Sequence, residues 1–213
     1  MGIGAEQLKA SLDAIGVVEP AFREAIGRIG YPEPRIRNRG YETLLRAIVG
    51  QQVSIKAAAA ILAKVEEATG GVDDPANIVR TSDEDLRAAG LSRQKIFYVK
   101  SLAEEVLEGR LDFHSLPEDD EEAIAAMTHV KGIGRWTAEV YLLFAEGRRD
   151  IFPAGDLAVQ IEVGRLMGMD ERPSEKLTRE LAQTWSPHRG AAAIFTWHSY
   201  GQAAKTKADK APV

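Results

Sequence analysis

Apolar residues recur along this chain at three- and four-residue intervals, and glycine, proline or a serine with acids repeatedly interrupts them; this is the period of amphipathic helices. The pattern predicts helices over residues 5–15 and 20–29, each followed by a glycine. Gly30-Tyr31-Pro32-Glu33-Pro34 then predicts a short connector to Gly40, because two prolines remove donors and force extended geometry. Residues 41–51 put Leu44, Leu45, Ile48 and Val49 on one face, and Ser54 is placed to cap a helix running to about residue 68. A turn-like helix over 75–80 follows, then one opening on Ser82-Asp83-Glu84-Asp85 and stopped by Gly90, then a longer one over 93–107 begun by Ser92. An acid-initiated helix over 118–128 feeds a tight turn, Val130-Lys131-Gly132-Ile133-Gly134, which opens into another apolar-periodic helix. Further helices are predicted over 157–167, 174–185 and 188–200, and no strand pattern occurs. The expectation is an all-α protein, compact over residues 1–205, with 206–213 as a flexible tail.

Composition changes this picture little. At 213 residues the chain is long enough for a substantial core and short for more than two compact domains. No apolar run approaches the roughly 20 residues that cross a bilayer, and the amino terminus has no basic region followed by an apolar one. The absence of cysteine excludes disulfides, thiolate zinc sites and iron–sulfur clusters. A cytoplasmic protein with no membrane association is expected.

Charge changes it more. The net charge of −5 argues against a nucleic-acid partner until its distribution is read. Residues 28–64 hold seven basic side chains against two acidic ones, whereas residues 104–122 hold nine acidic ones against Arg110 alone. Local potential, not the total, decides what a partner meets.

Three stretches carry candidate chemistry. In the glycine turn, the amides of Gly132, Gly134 and Arg135 stand at a helix N-terminus, where unpaired N–H groups and the helix dipole suit a phosphate oxygen. Phe152-Pro153-Ala154-Gly155-Asp156 puts a carboxylate at the mouth of the next helix, where Asp156 would also be an ordinary N-cap. Gly50-Gln51-Gln52-Val53-Ser54 is a polar junction between two apolar helices. The four histidines show no metal-ligand spacing.

Taken together, Val130–Ala138, the run Asp150-Ile151-Phe152-Pro153-Ala154-Gly155-Asp156-Leu157, the Gly50–Ser54 junction and Trp185-Ser186-Pro187-His188-Arg189-Gly190 resemble the helix-hairpin-helix DNA glycosylase superfamily. The resemblance is to its alkylation-repair branch, 3-methyladenine DNA glycosylase II, in a short form without the amino-terminal β domain of larger members. It covers roughly residues 41–200.

The resemblance implies two helical lobes with the active-site cleft between them, one of about residues 40–130 and the other of 1–39 plus 131–205, with the helix-hairpin-helix at about 119–146. It implies a monofunctional hydrolase that flips alkylated bases out of double-stranded DNA and breaks the N-glycosidic bond to leave an abasic site. Asp156 matches the catalytic carboxylate, Trp136 and Trp197 the aromatic lining of the base pocket, and Gln52 the wedge that fills the gap left by the flipped nucleotide. Gly132, Gly134, Arg135 and Thr137 match the phosphate-binding hairpin. The carbonyls of Thr128, Val130 and Ile133 match a structural alkali-cation site for Na+ or K+; no other cofactor is required, and a monomer is expected. Lyase members use a lysine where this chain has Trp136, and tryptophan cannot attack a sugar carbon.

The chain departs from the family at Gly155, where some relatives carry a second acid, and at Val140, where an aromatic often helps form the pocket; Tyr141 would face about 100° away. A roomier pocket, open to bulkier lesions such as ethenoadenine, follows from those departures. Structural readings stand beside these: Trp136 and Trp197 as core residues, Gln52 as a helix-end polar group, and Arg189 as an anchor for a carbonyl or carboxylate. The competing function is a non-catalytic helix-hairpin-helix protein that binds damaged DNA.

Overall fold

The computed structural model describes residues 2–209, and among these every regular element is helical, as the spacing predicts. In chain order the α-helices are α1 (Ala5–Val18), α2 (Pro20–Ile29), α3 (Tyr41–Gly50), α4 (Ile55–Thr69), α5 (Pro75–Arg80), α6 (Asp83–Ala88), α7 (Arg93–Leu107), α8 (Asp120–Thr128), α9 (Arg135–Tyr141), α10 (Leu157–Leu166), α11 (Glu175–Leu181) and α12 (Arg189–Asp209). A π turn, Leu142–Glu146, directly follows α9, and a 3-10 turn, Ala182–Trp185, follows α11. Serine starts α4, α6, α7 and α11: Ser54, Ser82, Ser92 and Ser174 each accept from the amide three residues on. Each such cap contributes about 1 kcal/mol.

Two compact units divide the chain: Met1–Ile36 with Leu142–Val213, and Arg37–Tyr141. The hairpin turn lies in the middle unit. Contacts made by the turn itself supply the reason.

In the middle unit α7 packs against α3, α5 and α6, burying Ile96, Val99, Leu102 and Ala103. Tyr98, one turn along the same helix, covers the hairpin turn. A Cβ on Gly132 would lie 2.3 Å from Tyr98 Cγ, and Gly132 has φ +89°, so this position needs glycine twice over. Gly134 does not share that conformation: its φ is not positive and a Cβ there meets nothing within 4 Å. Two further bonds fasten the turn, one from the Lys131 amide to Ser101 Oγ at 3.3 Å and one from Gln51 Nε2 to the Gly132 carbonyl at 2.9 Å.

In the terminal unit α12 packs against α10, α1 and α2. Phe22 is the centre of an aromatic cluster, with its ring 5.0 Å from Trp185 and 5.5 Å from Phe195, and Phe152 meets Trp185 edge-on at 5.6 Å. Two spans run further than the spacing predicts. Helix α1 continues through Gly16 to Val18, because Gly16 is a point of close packing and not a stop: a Cβ there would lie 3.2 Å from Cβ of Arg23 in α2. Helix α12 continues to Asp209, so the first part of the expected tail is helical; residues 210–213 lie outside the described residues.

Asp150 closes the terminal unit across the sequence. Its carboxylate accepts from the Arg189 guanidinium and from Ser186 Oγ, both at 2.8 Å, and from the Arg189 amide at 3.1 Å. Burial works to raise the Asp150 carboxyl, but these donors outweigh it and hold the group below the usual carboxylate range. Arg189 thus anchors a carboxylate, as its structural reading from the sequence describes.

Two outcomes follow. Gly132→Ala is expected to destabilise the protein by about 2–4 kcal/mol, from backbone strain and the clash with Tyr98, and Gly134→Ala by no more than about 1 kcal/mol, both measurable by denaturant unfolding. Asp150→Asn is expected to cost about 1–2 kcal/mol at pH 7. Because the folded pKa lies below the unfolded one, that cost is present above about pH 4 and shrinks as the pH falls through the folded value, so parallel melts from pH 7 to pH 3 should converge.

Candidate nucleic-acid interface and catalytic carboxylate

Helix α9 carries Trp136, Thr137, Val140 and Tyr141 on one face, since positions i, i+1, i+4 and i+5 lie together on a helix. In the middle unit these residues wall a pocket of about 800 Å3 with Leu44 and Ala47 of α3, and Gln51 and Gln52 stand at its edge. That volume lies in the range of small-molecule sites, about 300–1,000 Å3. Trp136 is 48% exposed and lines this pocket, so it is not a core residue. Tyr141 lines the same pocket, contrary to the expectation that it would turn away. Its hydroxyl accepts from the Gly40 amide at 2.7 Å and its ring lies 5.5 Å from Phe113, so it is held in the wall as a buried residue. Val140 is buried beside it.

The α3–α4 junction is strained. Gln52 has φ +56° and is, among the described residues, the one non-glycine in that region. Such a conformation costs roughly 1–3 kcal/mol and persists only where its surroundings impose it. Here they do. Lys95 Nζ donates to the Val49 carbonyl at 2.7 Å, the Gln51 side chain is tied to Gly132, and Ser54 caps the following helix. Burial pushes the Lys95 ammonium below its ordinary range. The sequence marks Gln51 only as part of a polar junction between apolar helices and Lys95 only as a basic residue at a helix start; neither tether is legible there.

A second hollow, of about 470 Å3, lies between that junction and the hairpin, lined by Gln51, Gln52, Lys95 and Tyr98 on one side and by Thr128, Val130 and Lys131 to Gly134 on the other. Helix α9 begins without a side-chain cap at Gly134, whose carbonyl accepts from the Ala138 amide at 3.1 Å; the first-turn amides of a helix have no intrahelical acceptor. The Arg135 side chain is committed elsewhere. It bonds both oxygens of Glu121, at 2.8 and 2.5 Å, and the buried Glu139 at 2.9 Å. Glu121 foremost, with Glu139, raises its pKa further. Of the groups on Arg135, the backbone amide is therefore the one placed at the turn for an anion.

Thr128, Val130 and Ile133 border the hollow, and the Val130 carbonyl already accepts from the Ile133 amide at 3.1 Å. A carbonyl has two lone pairs, so this leaves a neutral oxygen donor set suited to a hard monovalent cation. No cluster of His, Asp or Glu that could hold a metal ion occurs among the described residues.

Asp156 and Trp197 belong to the terminal unit. Asp156 Oδ1 accepts from the Val159 amide at 3.0 Å, so the expected N-cap forms. The segment before it is buried from Ile151 to Ala154. Gln160 Nε2 donates to the Ala154 carbonyl at 2.8 Å, and Arg172 holds the other end of Gln160 at 3.1 Å. The carboxylate is thus half-buried on a backbone with little freedom. Trp197 is half-buried, with its ring 5.5 Å from Phe144 in the π turn.

The chain matches known proteins over most of its length. A model of the HhH-GPD superfamily base excision DNA repair protein matches residues 45–188. DNA-3-methyladenine glycosylase 1 of Schizosaccharomyces pombe is 34% identical over 171 residues, covering 78% of this chain and 75% of that protein. Among solved structures, a DNA-3-methyladenine glycosidase from Bacillus halodurans aligns with TM-score 0.85 at 34% identity, covering 92% of this chain and 91% of the other. A 3-methyladenine DNA glycosylase of S. pombe, in complex with abasic DNA, aligns with TM-score 0.76 at 28% identity, covering 92% and 97%. With a family match over more than half of its residues and a relative 34% identical over three quarters of that protein's length, this chain belongs to the HhH-GPD superfamily of base excision DNA repair proteins.

Proposed function

We propose that the protein is a monofunctional DNA glycosylase that removes 3-methyladenine and 7-methylguanine from double-stranded DNA, acting as a monomer and leaving an abasic site. The observation that carries the reading is the assembly within the middle unit: an aromatic-walled pocket, a strained glutamine at its edge and an uncapped helix start at the hairpin. These are the parts needed to receive a flipped base, fill the space it leaves and hold the backbone phosphate. The names of the relatives support the same substrate class.

A 3- or 7-alkylated purine is cationic and leaves readily, so the glycosidic bond can break through a sugar with oxocarbenium character. Asp156 is the carboxylate assigned to that sugar. It stabilises the developing positive charge and orients or deprotonates the attacking water. Its bond to the Val159 amide directs it before substrate arrives, so less reorganisation is needed during reaction. A second acid to protonate the leaving group is unnecessary for a base that already carries charge. The π face of Trp136 suits a cationic base; Trp197, the other expected aromatic, is not among the residues that line the middle-unit pocket. Gln52 is assigned as the wedge, the amides of Gly132, Gly134 and Arg135 with Thr137 as the phosphate clamp, and the carbonyls of Thr128, Val130 and Ile133 as ligands of a Na+ or K+ ion, whose positive charge would strengthen that clamp.

Asp156→Asn separates chemistry from capping, since asparagine caps a helix about as well as aspartate. The variant is expected to melt with wild type and to bind damaged duplex as tightly, while releasing 7-methylguanine about 100- to 1,000-fold more slowly. Equal release by the two proteins would remove Asp156 from the reaction; binding by both with release by neither would favour a damage-binding module.

A further inference from the structure

The wedge assigned to Gln52 must enter DNA against the resistance of stacked bases, yet Gln52 itself is exposed and sits on a backbone conformation that non-glycine residues avoid. Something else must keep it there. The nearest fixed point is the preceding residue: Gln51 is half-buried, and its Nε2 donates to the Gly132 carbonyl, a residue 81 positions away in sequence. Gly132 cannot yield, because Tyr98 lies directly over it. On the other side of Gln51, the Val49 carbonyl is held by Lys95, which comes from the same helix as Tyr98. The junction is therefore tied at two points, through a side-chain amide and an ammonium, to one helix and the turn packed on it.

We propose that Gln51 is a positioning residue for base flipping: its hydrogen bond to the Gly132 carbonyl joins the wedge to the phosphate-binding turn, so that the two engage DNA as one rigid edge. The proposal rests on the assignment of Gln52 as the wedge. Gripping a phosphate at the hairpin then sets where Gln52 enters the duplex, and the resistance met by Gln52 is passed to α7 instead of relaxing the loop. A side-chain amide is suited to this task because it donates through Nε2; a carboxylate of the same shape has no donor and would face the carbonyl with like polarity.

Gln51→Glu tests this with little change in volume. Single-turnover release of 7-methylguanine is measured in two duplexes, with the lesion opposite cytosine or opposite an abasic analogue, where the unpaired lesion leaves the stack at less cost. Gln51→Glu is expected to slow release about tenfold opposite cytosine and by less than about threefold opposite the abasic analogue. In a Gln52→Ala background the added loss from Gln51→Glu is expected to disappear, since a residue that acts through Gln52 has nothing left to position. A loss of equal size in both duplexes, or one that persists in the Gln52→Ala background, would overturn the proposal and mark Gln51 as a general structural residue. Wild-type protein that releases no base from either duplex would instead overturn the glycosylase reading on which it rests, a result distinct from either of these.

Discussion

The contact between Gly132 and the ring of Tyr98 is the constraint on which the middle unit depends. A turn without a Cβ lets an aromatic ring lie at a distance that any other residue would forbid, and the ring then fixes where the turn can be relative to α7. With the turn fixed, its carbonyl becomes an acceptor for Gln51, its last glycine starts α9 without a side chain over the first amides, and α9 carries Trp136, Val140 and Tyr141 into one pocket wall. Glu121 of α8 and Glu139 of α9 both hold the Arg135 side chain, so it is committed away from that helix start. The backbone amides at the start of α9 cannot swing away as a side chain can.

In the terminal unit the loop that carries Asp156, the carboxylate proposed for the reaction, is held along its length. It is anchored at the far end by Asp150 on Arg189 and Ser186, in its middle by Gln160 on the Ala154 carbonyl, and at its close by the cap that Asp156 makes to Val159. Capping and the proposed catalytic role are compatible, because both use an oxygen fixed beside a helix N-terminus. The cap stabilises the fold by about 1 kcal/mol whether or not any chemistry follows.

Much of this was legible in the sequence because it is local. The serine caps at Ser54, Ser82 and Ser92, the breaks at the Tyr31–Pro34 connector and the acid-to-hairpin transition all arise from side chains acting on their own backbone. Misreadings came where distant residues decide. Gly16 looks like a helix stop until Arg23 of the next helix is seen against it, and Gly134 looks like a partner to Gly132 until only one of the pair is found beneath a ring. Tyr141 was expected to turn away on the basis of ideal helix spacing alone; its place in the pocket wall is set by Gly40 and Phe113, far from it in sequence. The fastening of the hairpin turn by Tyr98, Ser101 and Gln51 is equally a matter of residues distant in sequence. Glutamines such as Gln51 carry no signal of a tether until the carbonyl they reach is known.

The central claim, hydrolysis of the glycosidic bond without lyase chemistry, is tested most directly by the fate of a duplex methylated to contain 3-methyladenine. After incubation with the wild-type protein, free base and strand integrity are measured in the same sample. Free 3-methyladenine is expected together with a strand that stays intact until hot alkali cleaves it at the abasic site. Strand cleavage without alkali, a borohydride-trapped protein–DNA adduct, or an absence of free base would contradict the account.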